Sequence, residues 1–225
     1  MILALETSTK NCSVAILKDQ ELVQLIEAQS DQYIHSEKLH LFIAEALEKA
    51  GLKPDQLEAI AVGSGPGSYT GLRIGVASAK ALAYSLSIPL ISAKGTELLV
   101  AGALEAYDFP QDALLHPMID ARRMEVYTAS YSPAEKQWTE VEARILEAGS
   151  YAEAGSHYFF GDGAPKAQNL LESDRHSFLN IPFPSARHFR TLVQGKMKAQ
   201  DFEDVAYFEP FYLKEFAAQR PKSVF

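Results

Sequence analysis

The sequence predicts an α/β protein of two related halves, each a mixed sheet with helices packed against it. Three observations carry that prediction. Short apolar runs bounded by turn residues read as buried strands, and they alternate with windows whose apolar residues recur at three and four, as in amphipathic helices. A glycine-rich loop, Gly63 to Gly71, leads from one such strand straight into one such helix. The pattern of strand, acid, hairpin, strand and strand occurs around Glu6 and again around Asp120, which an internal duplication explains.

Residues 2–5 form a continuous apolar run that fits a buried strand. The polar stretch 7–11 turns the chain, 12–17 returns, and 18–20 turn it again into a third strand over 22–28. Glu6 therefore closes the first strand beside a polar hairpin, where a lone acid is either solvated or turned to a ligand. The spacing predicts a helix over 36–50. Leu39, Phe42, Ile43, Ala46, Leu47 and Ala50 share one face, Lys38, Glu45, Glu48 and Lys49 lie on the other side, and Gly51 stops it. His35 and His40 stand five apart, on different faces of a helix, whereas a metallopeptidase pair needs i, i+4. No metal site is expected from them.

Residues 59–62 make the next strand, and the glycine loop then opens a helix that runs to about residue 86, with Ser68 or Thr70 able to cap it. Gly71, Gly75, Ala79 and Ala83 stand every four residues and form one stripe with almost no side chain. An interior glycine costs about 1 kcal/mol relative to alanine. The stripe therefore calls for a close backbone neighbour, either inside the monomer or on a second chain. For the second case Leu39 and Ile43 of the preceding helix, together with Arg73, complete the candidate interface. Spacing excludes three enzymatic loops: no lysine follows Gly71 as a P-loop needs, Ser68 and Thr70 occupy the third-glycine positions of G-x-G-x-x-G, and Tyr69 stands at the centre of the would-be G-x-S-x-G.

A strand at 88–91, a helix over 96–106 and a junction at 107–112 close the first half, giving the expected division into 1–109 and 110–225. The second half opens with a strand over 114–119 ending in Asp120. A turn at 121–123 follows, then strands over 125–131 and 138–145. A short helix is expected at 148–154, a strand at 158–160, another short helix ending at 170–171 and a longer one over 185–198. Gly161 and Gly163 fit a tight turn or the remnant of an adenosine loop. The tail 205–213 is too aromatic to hang free and should pack back on the body.

The net charge of −8 argues against a protein that binds nucleic acid unaided by neutralising phosphates. Against it stands a basic island with no acid between Arg175 and Gln200: Arg175, Arg187, Arg190, Lys196 and Lys198. It is either solvated surface or a weak phosphate contact. Cys12, the one cysteine, excludes an internal disulfide and suits a reducing compartment, as a buried strand residue. No apolar run is long enough to span a bilayer, and Glu6 interrupts the opening too soon for a signal peptide. A soluble, cytoplasmic protein is expected, with no membrane partner.

Gly-Pro-Gly-Ser-Tyr-Thr-Gly-Leu-Arg-Ile-Gly at 65–75 resembles the signature of the TsaB (YeaZ) family. The stretches 119–127 and 210–214 resemble its second-half motifs, and with the opening 3–9 the resemblance covers most of the chain. Tyr69 replaces the more usual phenylalanine. The resemblance implies a duplicated actin/Hsp70/sugar-kinase-like (ribonuclease H-like) fold. It implies a non-catalytic subunit that pairs with TsaD in placing the threonylcarbamoyl group on N6 of adenosine 37, in tRNAs reading codons that start with A. The implied partners are a TsaD-like catalytic subunit, a TsaE-like ATPase, tRNA through the complex, and a second copy when the chain is alone. ATP and a metal ion would belong to the partner subunits, and this chain would require no cofactor. In the superfamily the position of Glu6 carries an aspartate facing nucleotide phosphates and magnesium, so Glu6, Asp120, Gly161 and Gly163 are the candidates for a weak nucleotide site. Arg187, Arg190, Lys196 and Lys198 become the candidates for a tRNA-proximal surface. The alternatives are a small ATP-dependent kinase or ATPase of the same superfamily and a metallopeptidase-like hydrolase.

Overall fold

Two sheets organise the chain, and both are wound in the same order. The computed structural model describes residues 1–30 and 34–214; residues 215–225, the end of the expected second half, lie outside the described residues. In the first sheet β1 (Ile2–Glu6), β2 (Asn11–Lys18) and β3 (Glu21–Gln29) form a meander. Then α1 (His35–Ala50) leads to β4 (Ala59–Gly63), α2 (Tyr69–Leu86) to β5 (Leu90–Ala93), and α3 (Gly95–Ala106) closes the set. The strand order is β3-β2-β1-β4-β5, with β1 antiparallel to β2 and parallel to β4.

The second sheet repeats this plan. Its strands are β6 (Ala113–Asp120), β7 (Glu125–Thr128), β8 (Tyr131–Ser132), β9 (Gln137–Trp138), β10 (Glu142–Ile145), β11 (Ser156–Phe160) and β12 (His176–Phe178). The main path runs β10-β7-β6-β11-β12, with β6 antiparallel to β7 and parallel to β11; β8 and β9 branch off β6. Glu6 and Asp120 are thus the last residues of equivalent strands, β1 and β6.

The continuous apolar run of β1 has a simple cause: both faces of its sheet are covered, as parallel neighbours require. Leu3 and Leu5 join Val14, Leu39, Val62 and Val76 under α1 and α2, while Ile2 and Ala4 join Ala15, Ile91, Ala186 and Phe189 on the other face. That second face is filled by a late segment, a 3-10 turn over Ala186–Thr191 followed by α4 (Val193–Ala199). The single helix expected over 185–198 is therefore two pieces. Winding at three residues per turn lines up Ala186 and Phe189, both fully buried, against the sheet.

Other differences have equally local reasons. The stretch 148–154 is a turn and not a helix, because Gly149, Tyr151 and Gly155 all take positive φ (88°, 62° and 123°), and the Tyr151 ring is buried. The expected strand 125–131 breaks after Thr128, and 138–145 divides into β9 and β10. Between Ala164 and Leu171 only a 3-10 turn, Ala164–Lys166, and further turns are found in place of a helix. The tail does pack back: Val205 and Phe208 join the core under α2, Lys80 Nζ donates to the carbonyl of Phe208 (2.7 Å), and Phe211 N–H donates to the carbonyl of Ser64 (2.7 Å). Among the described residues no helix is long and apolar enough to cross a membrane.

Candidate functional site

The glycine loop is stitched into its surroundings at every step. Ser64 N–H donates to Ala93 O (2.9 Å), Gly95 N–H to Gly65 O (2.9 Å), and Ser68 N–H to Ser8 O (2.7 Å) in the first hairpin. Ser68 caps α2, its Oγ accepting from Gly71 N–H at 3.3 Å. Glu6 lies beneath this loop and is fully buried. One carboxylate oxygen accepts from Ser8 N–H at 2.5 Å; the other has no partner among the described residues. A Cβ on Gly63 would sit 1.8 Å from that second oxygen, so the glycine is there to make room for the carboxyl. Burial pushes the Glu6 pKa up, outweighing the bonds from Ser8 and Thr7. The acid is neither solvated nor turned toward a phosphate; it is sealed.

The glycine stripe of α2 faces inward, and this corrects its assignment to a partner interface. Cβ atoms on Gly71 and Gly75 would come 2.1 Å and 2.2 Å from Thr7 O and Thr7 Oγ1, and Thr7 Oγ1 donates to the carbonyl of Gly71 at 2.8 Å. Ala79, Ala83, Leu39 and Ile43 are buried in the same core. Of the seven candidates only Arg73 is exposed; its guanidinium lies 4.2 Å from the Tyr69 ring centroid and donates to Tyr212 Oη at 3.2 Å. The opposite face of the same two helices is the open one. Leu41 on α1 is 60% exposed and Tyr84 on α2 80%, with Ala44, Ala77 and Ala81 exposed beside them. His40 and Ser78 bridge the two helices (3.4 Å). His35 points the other way, buried, its Nε2 bonded to Thr9 O at 2.8 Å.

In the second half Asp120 is held by its own neighbours. It accepts from Arg122 N–H at 2.6 Å, pairs with Lys166, and its own N–H donates to Asp162 at 2.9 Å. Burial raises Asp162 to about 6. Gly161 and Gly163 press on β6: Gly163 N–H donates to Met118 O at 2.9 Å, and a Cβ on Gly161, whose φ is +107°, would lie 2.1 Å from that same oxygen. They form a tight turn. The cavity beside them, about 260 Å³, has no charged side chain in its lining. At the tip of the β6–β7 hairpin, Arg122 and Arg123 both take positive φ (68° and 50°) and stand exposed.

In the basic island three of the four candidates carry ion pairs. Arg187 pairs with Glu27, Arg190 with Glu105 and Lys196 with Asp201. Glu27 and Glu105 come from β3 and α3, far away in sequence, so a local charge count cannot see them. Lys198 alone of the four is left without an ion pair among the described residues. The first two pairs line a cavity of about 380 Å³ between β3, α3 and residues 180–190.

One buried polar group went unread in the sequence. His116 on β6, His157 on β11 and His176 on β12 stack around Phe159 and Tyr151. His116 Nε2 and His157 Nδ1 are 2.9 Å apart, and Ser130 Oγ bonds His116 Nδ1 at 3.0 Å. Burial, then the charges of His157, Arg144 and His176, push His116 down to about 3. Strand pairing brings the three histidines together, and no sequence window contains them.

Two sheets of one winding order, each with an acid closing its first strand, place the chain in the duplicated class of α/β folds shared by actin, Hsp70 and sugar kinases. A family model described as TsaD, tRNA N6-adenosine threonylcarbamoyltransferase, matches residues 29–207. The chain is 39% identical over 226 residues to the tRNA threonylcarbamoyladenosine biosynthesis protein TsaB of Haemophilus influenzae, covering 95% of this chain and 93% of that one. It is 37% identical to the Bacillus subtilis TsaB over 133 residues, 58% of this chain and 54% of that one. The solved structure of YeaZ from Pseudomonas aeruginosa superposes with a TM-score of 0.80 at 23% identity, covering 94% of this chain and 99% of the other. The chain belongs to the TsaB (YeaZ) family.

Proposed function

We propose that this chain works in tRNA threonylcarbamoyladenosine biosynthesis as a non-catalytic cytoplasmic subunit, partnering a TsaD-like threonylcarbamoyltransferase and, through the complex, a TsaE-like ATPase and tRNA. The observation that carries the non-catalytic part is Glu6: the residue at the superfamily's phosphate-facing position is buried, with Gly63 packed on its carboxyl. Asp120, its counterpart, is engaged by Lys166 and Arg122. The burial of Glu6 and the pairing of Asp120 weigh against the kinase reading, and in our reading the chain itself requires no cofactor. The family name supports the pathway. The exposed α1–α2 face, centred on Leu41 and Tyr84, is the surface offered to the partner, or to a second copy when the partner is absent.

Reconstitution tests the reading. With tRNA, ATP, threonine, bicarbonate and the enzyme that makes threonylcarbamoyl-adenylate, this chain alone yields no modified adenosine; with TsaD and TsaE it yields product, and omitting it stops formation. Modification without TsaD would overturn the non-catalytic role, and undiminished activity without this chain would overturn the pathway.

A further inference from the structure

We propose that the β6–β7 hairpin tip is a contact for the phosphodiester backbone of RNA, with Arg122 and Arg123 as its anchors; under the reading above, which this rests on, that RNA is the tRNA held by the complex. On the four-residue loop 121–124 two consecutive residues take positive φ, a backbone region that glycine enters freely and asparagine more easily than arginine. Here both are arginine, at φ 68° and 50°. A local preference broken on an exposed turn marks a position kept for another reason. Both guanidiniums are exposed and neither makes an ion pair among the described residues, in contrast to Arg187 and Arg190 of the island.

The surroundings extend the basic surface. Lys166 and Lys214 flank the tip, joined to Asp120 and Glu125, so the acids of the hairpin are already neutralised and the arginine pair is surplus charge. Lys214 follows Phe211, over whose ring Lys94 Nζ lies at 5.0 Å, which continues the cations along the tail toward the glycine loop. Guanidinium forks match phosphate oxygens bidentately, and cations set beside aromatic rings are what RNA surfaces use. In a chain of net charge −8, such a surface holds RNA weakly by itself at low salt, and firmly only when a partner supplies the rest of the contacts.

The test is the double variant Arg122→Asn, Arg123→Gly, which suits the turn better than the native pair and so keeps the fold. A tRNA transcript is titrated against the complex of this chain with its threonylcarbamoyltransferase partner between about 50 and 200 mM salt, with Lys18→Ser, an exposed cation at the far end of β2, as control. The variant should bind tRNA about tenfold more weakly at the low-salt end. Its plot of log K against log salt should also lose about one to two units of slope, since each phosphate contact contributes about 0.9. The control should change neither. Unchanged affinity and slope in an assembled variant complex would overturn the proposal. So would a variant that loses the protein partner instead, because the arginines then meet an acidic protein surface. The chain alone is titrated in parallel at low salt. If the wild-type chain fails to assemble, the functional reading falls, and this second arm decides the contact by the same change in slope.

Discussion

Glu6 is a carboxyl with one oxygen bonded and one bare, in a pocket made by removing a side chain from Gly63. Its pKa is raised by burial, so the native state holds the proton more tightly than the unfolded chain. Stability from this group is full below the ordinary carboxylate value of 4.5 and declines as pH rises toward the native pKa. Glu6→Gln keeps the shape and removes the titration. Its stability relative to wild type should therefore improve in urea melts as pH rises above 4.5, until the raised native pKa is passed; a constant difference would show that Glu6 is not shifted. His116 works on the acid side. Its pKa falls from 6.5 to about 3 through burial and the neighbouring His157, Arg144 and His176, and that of His188 to about 4 through burial and Arg187. Below pH 6.5 the unfolded chain gains protons that these imidazoles refuse, at about 1.4 kcal/mol per group per pH unit. The wild type should lose urea resistance steeply between pH 6.5 and 4, and His116→Gln should flatten that slope. A wild-type midpoint unchanged over this range would refute it.

At the scale of the helix, the same two elements carry a packing face and a docking face, and substitutions separate them. Gly75→Leu puts a branched side chain where even a Cβ would meet Thr7 Oγ1 at 2.2 Å. Overpacking typically costs about 1–3 kcal/mol, and with hairpin backbone as the obstacle the upper end or beyond is expected, read as a lower melting temperature. Leu41→Glu lies on the open face and should leave the melting temperature within a degree or two, since surface changes stay within about 0.5 kcal/mol. It should weaken association with the catalytic partner about tenfold or more, measured by calorimetry. Leu41→Glu binding normally would move the interface elsewhere. The small-residue stripe was legible in sequence, but its direction was not: periodicity shows that Gly71 and Gly75 share a face, while only the fold shows that Thr7 covers it. Strands β1, β2 and β4 and helices α1 to α3 were legible because burial on one or two faces writes a strong period. β12, His176–Phe178, has no such period, since its place depends on parallel pairing with β11. From the sequence Glu6 reads as an acid either solvated or turned to a ligand, because strand position is local information and the seal over it is not.

Across the whole molecule, the chain does not finish one half before starting the next. After completing the second sheet it returns to the first, where Ala186, Phe189 and Val193 cover the face formed by Ile2, Ala4, Ala15 and Ile91. Asn11 Nδ2 donates to Pro184 O at 3.2 Å, and Ser13 Oγ accepts from Ala186 N–H at 2.9 Å, so the return is bonded as well as packed. We propose that 1–109 and 110–225 are halves by topology and duplication, while the first sheet folds only with its late cover in place. Two consequences follow by magnitude. Phe189→Ala empties a fully buried ring and should cost about 3–5 kcal/mol, a large part of the stability of a domain this size. A fragment ending at residue 109 exposes a whole apolar sheet face and should aggregate or melt without cooperativity. Joining residues 185–214 to that fragment through a flexible linker should restore a sharp transition, because the missing cover returns at high effective concentration. Circular dichroism melts of the two fragments decide it: a cooperative, native-like melt of 1–109 alone would mean that the first half needs no cover, and the return of the chain would then be a late docking step only.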